Sequence, residues 1–267
     1  MNKTQLLPDR PGIPPMAKLP DPETVDPGEL LRAYESGEID LICVLGPTAS
    51  GKTRYAVELA RALGKAEILS ADSRQVYTGM DIGTGKDLGE YGDVPYHLID
   101  IVPAGMKFNI YQYQSAFADA WADVRRRGAI PILCGGSGLY IESATRAYKF
   151  EKDNGVPVSR LPQSVYYIGT LVSREERVAR IDRRLEERLK EGLVEEIQSL
   201  LASGIPADDL IYYGLEYKFV TQYVLGQLSY EDMVVALGNA IHQFAKRQMT
   251  WFRGMERDGV RIHWVRP

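Results

Sequence analysis

Residues 46–53 read Gly46-Pro47-Thr48-Ala49-Ser50-Gly51-Lys52-Thr53, a G-x-x-x-x-G-K-T spacing. An apolar run, Leu41-Ile42-Cys43-Val44-Leu45, leads into it, and a helix-forming stretch, Tyr55-Ala56-Val57-Glu58-Leu59-Ala60, leads out. Strand, glycine loop and helix in that order describe a phosphate-binding loop. The glycines let the backbone turn tightly, so that successive N–H groups point inward at an anion. The helix that follows adds its positive N-terminal end. Lys52 supplies a mobile point charge, and the Thr53 hydroxyl is placed to hold Mg²⁺. All eight residues are read as the cradle for a di- or triphosphate. The loop alone does not decide between the two.

Outward from the loop, short apolar runs alternate with helical segments. Strands are expected at 40–45, 67–71, 97–101, 129–134 and 165–171, with helices at 52–63, 110–127 and 138–147. That alternation predicts an α/β fold, a P-loop parallel sheet flanked by helices. Ligands of such sheets gather at the carboxyl ends of the strands. The loop, Asp72 and the turn Gly135-Gly136-Ser137-Gly138 all fall there.

A C-terminal helical region follows over 173–254. Ser173 and Glu176 form a capping box. It opens one continuous helix whose apolar stripe runs through Val178, Ile181, Leu185, Leu189, Ile197 and Leu200. Gly204 and Pro206 end it. A second helix is expected near 208–225 and a third from Ser229 to Gly254. Residues 260–265 read as a last strand returning to the core of 40–172. Residues 1–39 carry seven prolines between Pro8 and Pro27 and read as an extended arm, with a short helix from Pro27 to Ser36.

The chain has 267 residues, 45% hydrophobic and 25% charged, with a net charge of −4. No apolar run approaches the roughly 20 residues that span a bilayer, so no membrane partner is expected. Met1-Asn2-Lys3-Thr4-Gln5 lacks the apolar core of a signal peptide. Cys43 and Cys134 lie in apolar strands and are expected as free thiols of a cytoplasmic protein, which we take as monomeric. The negative balance announces no nucleic-acid partner globally and asks for a local basic face.

Several residues carry candidate chemistry. Asp72 ends the second strand beside the phosphate loop, where a carboxylate serves a metal, accepts a proton or caps a helix. Gly135 and Gly136 stand where a P-loop ATPase would place an acidic residue, which argues against a motor-type ATPase. Arg180 and Arg184 point the same way on the long helix, beside its apolar stripe, and suit a phosphate. The other arginines and the glutamates between them read as a solvated face of i,i+4 pairs. Lys246, Arg247 and Gln248 belong to a run, Ala245 to Arg253, that mixes basic and aromatic side chains as nucleic-acid sites do. His97, His242 and His263 are scattered and suggest no metal cluster.

Taken together, the phosphate loop, Ser70-Ala71-Asp72-Ser73-Arg74-Gln75-Val76-Tyr77, Gly79-Met80-Asp81-Ile82-Gly83-Thr84-Gly85-Lys86, Pro95-Tyr96-His97-Leu98-Ile99-Asp100, Gly135-Gly136-Ser137-Gly138-Leu139-Tyr140 and Ala245 to Arg253 resemble one family, the tRNA dimethylallyltransferases. The resemblance spans most of 40–254. It implies that the loop holds the diphosphate of dimethylallyl diphosphate, that the N6 amine of an adenine attacks the allylic carbon, and that Mg²⁺-diphosphate leaves. It implies Asp72 as the proton acceptor and Lys52, Thr53, Arg184 and Arg180 as partners of the leaving group. Ser73, Gln75, Gly136, Lys246, Arg247 and Gln248 fall on the adenine and RNA side. The implied acceptor is an adenosine beside the anticodon of tRNA.

Three departures stand out. Family members carry a longer helical segment where this chain has only residues 148–164, with Asp153-Asn154-Gly155 and two prolines. Glu216 occupies the glycine position of the family's Gly-Tyr-Lys motif, and His242 a position where arginine is common. The short segment leaves open the same transfer to free AMP, ADP or ATP. A P-loop nucleotide kinase is the alternative reading of the loop by itself.

Overall fold

The computed structural model describes residues 20–146 and 156–267. The first half of the proline-rich arm and the stretch Asp153-Asn154-Gly155 lie outside the described residues.

The core is a parallel sheet. Strand β1 (Leu41–Leu45) feeds the phosphate loop and then helix α2 (Lys52–Leu63). Strand β2 (Ala66–Ser70) follows, then the two-residue strands β3 (Tyr77–Thr78), β4 (Tyr96–His97) and β5 (Val102–Pro103). Helix α3 (Ile110–Arg126), strand β6 (Ile130–Gly135), helix α4 (Gly138–Thr145) and strand β7 (Val165–Thr170) complete the central unit. The closing strand β8 (Ile262–Val265) pairs parallel to β7, so the sheet order is β4-β2-β6-β1-β7-β8. β3 and β5 form a separate small pair.

β1 shows why these strands are apolar throughout. Leu41, Cys43 and Leu45 join the cluster that includes Tyr113, Phe117, Tyr140 and Ile141 of α3 and α4. Ile42 and Val44 join the opposite cluster with Ala56, Val57 and Leu63 of α2 and with Leu30 of α1 (Pro27–Glu35). A strand covered on both faces needs an apolar side chain at every position. Cys43 and Cys134 are free and buried.

The segment 97–101 departs from its expected extended form. β4 pairs only Tyr96 and His97 with β2, and Leu98 and Asp100 then take positive φ of 65° and 56°. The backbone N–H groups of Asp100 and Ile101 turn away to the carbonyls of Gln75 and Val76. Lys86, buried, fixes the turn by donating to Asp81 at 2.6 Å, to the Tyr77 carbonyl at 2.7 Å and to Asp100.

The long C-terminal helix is also broken. Helix α5 (Arg174–Glu191) ends at Gly192, whose φ of 105° is left-handed, and α6 (Leu193–Ala202) restarts from it. The apolar stripe continues across the joint, which is why spacing alone reads one helix. Half of the capping box forms, with Glu176 N–H donating to Ser173 Oγ at 3.0 Å. The Glu176 carboxylate instead takes Arg180 at 2.5 Å. The second expected helix is likewise two, α7 (Ala207–Tyr213) and α8 (Leu215–Val224), divided at Gly214. Helix α9 (Tyr230–Arg257) starts from its Ser229 cap and leads to β8. No helix among the described residues is long and apolar enough to cross a membrane.

Gly135 marks where β6 meets the end of β2. A Cβ there would sit 2.3 Å from the Ala71 carbonyl oxygen. Gly135→Ala is therefore expected to cost about 2 kcal/mol by forced backbone displacement. Thermal unfolding should show a fall of roughly 5 °C; an unchanged melting temperature would refute the close approach.

Candidate active site

The carboxyl ends of β1, β2 and β6 converge on one cavity, as parallel topology requires. Its volume is about 530 Å³, open mouth included. The wall carries Thr48, Lys52 and Thr53 from the phosphate loop and helix α2, and Asp72, Arg74 and Gln75 from the segment after β2. Arg184 and Arg188 approach from α5, and Phe244 and Gln248 from α9. Tyr91 and Cys134 give it a little apolar surface.

The loop is shaped by its own backbone. Ala49 and Gly51 take positive φ of 61° and 82°, which turns the chain into the cradle. Gly46 backs directly onto Thr170 and Ser50, where a Cβ would lie 2.2 Å from Thr170 Oγ1. The buried Ser50 hydroxyl bonds Thr170 at 2.6 Å, and Ser50 N–H returns to the Pro47 carbonyl at 3.3 Å. These two serve the loop's shape. Lys52 is half-buried, and desolvation lowers its pKa against the pull of Asp72. The Cys134 thiol beside it is pushed up to about 12 by burial, so it stays protonated and unreactive.

Asp72 is held by its neighbours. Its Oδ1 accepts from Arg74 N–H at 3.0 Å, and its own N–H donates to Ser70 Oγ at 3.3 Å. Gln75 donates to the Gly85 carbonyl at 3.1 Å and accepts from Ser70 Oγ at 3.0 Å. Glu196 of α6 anchors the neighbouring loop by accepting from the N–H groups of Asp81, Ile82 and Gly83 at 2.8, 2.7 and 3.0 Å. Arg184 donates to the Gly85 carbonyl at 3.3 Å and pairs with Asp87.

Other residues singled out in the sequence stand differently. Gln248 joins the two loops, its Nε2 donating to the Gly136 carbonyl at 2.9 Å and its Oε1 accepting from Thr48 N–H at 2.8 Å. Its amide is satisfied at both ends by protein. Ser73 sits behind the wall, its N–H on Ser137 Oγ at 3.0 Å. Arg180 stays outside the cavity, paired with Glu176, although its guanidinium lies against Gly51. Lys246 and Arg247 are exposed, and Arg247 stacks on Phe244 with its guanidinium carbon 5.9 Å from the ring centre.

The sequence reading gives no site role to Arg74, Arg188 or Phe244, and marks Glu216 only as a departure from a motif. Arg188 and Arg74 both pair with the buried carboxylate of Glu216. Burial takes Arg188 down to about 10, and its neighbour Arg184 pushes the same way. Burial works against the charge of Arg74 too, but Glu216 and Asp72 outweigh it and raise the value. Arg188 follows Leu185 by three residues, in the phase of the apolar stripe. A charge in that phase is the signal that would have found it.

The cavity thus gathers Lys52, Arg74, Arg184 and Arg188 with the carboxylate of Asp72 in one lining.

Comparison with known proteins agrees with this geometry. A family model described as IPP transferase matches residues 75–163 and 149–255, and one described as Isopentenyl transferase matches 39–91. The tRNA dimethylallyltransferase 2 of Bacteroides fragilis (strain YCH46) is 45% identical, over 85% of this chain and 92% of the relative. The tRNA dimethylallyltransferase 1 of Parabacteroides distasonis is 45% identical over 88% and 93%. The crystal structure of the full-length tRNA isopentenylpyrophosphate transferase of Bacillus halodurans superposes with a TM-score of 0.74 at 29% identity, covering 85% of this chain and 89% of that one. The IPP transferase match breaks into two pieces that meet at 149–163, where the segment is short. With fold, cradle and relatives in agreement, the chain belongs to the IPP transferase family.

Proposed function

We propose that this protein transfers a dimethylallyl group from dimethylallyl diphosphate to N6 of an adenosine beside the anticodon in tRNA, releasing diphosphate. The observation that carries the reading is one cavity lined by Lys52, Thr53, Arg184 and Asp72 together, in a chain whose relatives bear the name tRNA dimethylallyltransferase.

The N6 nitrogen forms a bond to the allylic carbon while the bond from that carbon to the diphosphate oxygen breaks. The electron pair leaves with the diphosphate, and the amine proton passes to Asp72. Negative charge grows on the departing oxygens, so fixed cations and N–H groups there lower the barrier. Residues 46–53 cradle the diphosphate, Lys52 and Arg184 meet its charge, and Arg180 is close enough to Gly51 to join from outside. Gln75 lines the adenine side, with Ser73 behind it, where a base flipped out of an RNA loop enters. Exposed Lys246 and Arg247 suit the RNA backbone at the rim.

Mg²⁺ fits this donor set. Thr53 would offer one hard oxygen to the ion, which takes oxygen ligands and keeps much of its water. Among the described residues, no group of three acidic, His or Cys side chains is placed to cage a metal. Bound there, the ion supplies neutralising charge to the leaving group.

Purified protein incubated with labelled dimethylallyl diphosphate and unmodified tRNA should place label in the RNA. Parallel tubes holding AMP, ADP or ATP should stay blank. Label in a free nucleotide and none in RNA would overturn the acceptor assignment. Phosphate transfer from ATP with no prenyl transfer would overturn the reaction.

A further inference from the structure

Two largely buried arginines and one buried glutamate meet at the back of the cavity. Glu216 is 2% exposed. Its Oε1 accepts from Arg188 Nη1 at 3.2 Å, and its Oε2 takes Arg74 Nη1. The backbone is bent to bring it there. Gly214 takes φ 75° and ψ −174°, and Leu215 takes a φ of 42°, unusual for a branched side chain. That turn drives Glu216 inward in the first turn of α8, where the helix end favours a carboxylate. Such backbone is retained where the surroundings over-determine it, commonly at functional sites.

A buried ion pair is not an economical way to fill space, since apolar side chains of similar volume do as well or better. Its value here lies in what Arg74 would otherwise do. Arg74 is two residues from Asp72, and both Asp72 and Glu216 attract its guanidinium strongly enough to raise its pKa. Among the described residues, the Asp72 carboxylate accepts a hydrogen bond only from the Arg74 backbone N–H. Phe244 supports the guanidinium from another side, 5.7 Å from its carbon to the ring centre. Arg188 fixes the far oxygen of Glu216, so the carboxylate presents its other oxygen to Arg74.

We propose that Glu216 is a positioning residue that anchors the Arg74 guanidinium away from Asp72 and so keeps the Asp72 carboxylate free to take the amine proton. This rests on the reading of Asp72 as the proton acceptor. Without Glu216, Arg74 swings to the remaining carboxylate and occupies it. The reaction then slows at the proton-transfer step, while the diphosphate cradle is untouched.

The test is a small set of variants assayed for prenyl transfer to tRNA. Glu216→Gln should lower kcat about 100-fold, the low end of a general base's contribution. KM for the diphosphate donor should stay within about threefold, because binding groups are not removed. Arg74→Met combined with Glu216→Gln should be faster than Glu216→Gln by at least about tenfold, since the intruding cation is gone. A purely structural glutamate would show no such rescue. Should Glu216→Gln fold poorly, Arg188→Met/Glu216→Gln removes the Arg188 charge along with the carboxylate, leaves one fewer unpaired buried cation and should fold better. Its kcat should still be low, because Arg74 remains loose. Wild-type kcat in any variant lacking Glu216 but keeping Arg74, or a double variant no faster than the single, overturns the proposal. A crystal structure of Glu216→Gln decides the point without any assay. The Arg74 guanidinium should lie within about 4 Å of the Asp72 carboxylate; an unmoved guanidinium overturns the proposal. Failure of the wild-type protein to prenylate any acceptor would instead count against the function itself.

Discussion

Asp72→Asn is expected to lower the turnover of prenyl transfer by about 1,000-fold, within the range a positioned general base contributes. The substitution is nearly isosteric. The asparagine carbonyl oxygen can accept the Arg74 N–H that Asp72 Oδ1 accepts at 3.0 Å, so the segment after β2 keeps its course. What disappears is the ability to take a proton. Binding of inorganic diphosphate should hold or tighten, because Asp72 is an anion acting on Lys52 and its charge is gone. Single-turnover rates with labelled donor, beside calorimetric titration with diphosphate, separate the two effects. A variant within tenfold of wild type would show that another group or solvent takes the proton.

The elements that fix this site were legible because their signals are local. A G-x-x-x-x-G-K-T run after an apolar strand has one common structural solution, and α2 begins at Lys52 as the spacing requires. The apolar strands reveal a doubly covered sheet, and β8 returns to pair with β7. The misread elements share a cause. At Gly192 and Gly214 a helix breaks while the apolar periodicity carries on through the break. At Leu98 and Asp100 an apolar run that reads as a strand turns because of tertiary hydrogen bonds from Lys86 and to the Gln75–Val76 backbone.

Site residues divide along the same line. Lys52, Thr53, Asp72, Gln75 and Arg184 belong to motifs or to a helix phase, and all reach the cavity wall. Glu216 shows as a departure from a motif, but its meaning depends on Arg74 and Arg188, which are 142 and 28 residues away in sequence. No periodicity encodes such a meeting. Gln248 sits in a basic, aromatic run that reads as a nucleic-acid surface, yet its amide bridges Thr48 and Gly136. Composition describes the run as a whole and cannot tell which member turns inward.

Lys52→Met should be the second most damaging change, and its signature is opposite in fold and function. In the free protein Lys52 is a desolvated charge, its pKa lowered by burial and only partly supported by Asp72. Methionine fills the same space without that cost, so the melting temperature of the ligand-free protein should not fall. The diphosphate loses its principal mobile cation, and kcat/KM should drop by about 100- to 1,000-fold, as when one charge-stabilising donor is removed. Diphosphate binding should weaken with it, unlike in Asp72→Asn. The pH dependence carries the same sign. A lysine binds anions only while protonated, so affinity for diphosphate should persist below the lowered pKa of Lys52 and decline as pH rises through it. In Lys52→Met that alkaline decline should vanish, because the cations that remain at the cradle are guanidiniums, which keep their charge across the accessible range. Titrations with diphosphate across pH, run on both proteins, measure this directly. Identical alkaline limbs would mean that Lys52 does not meet the diphosphate, and the cradle would have to be assigned to the arginines instead.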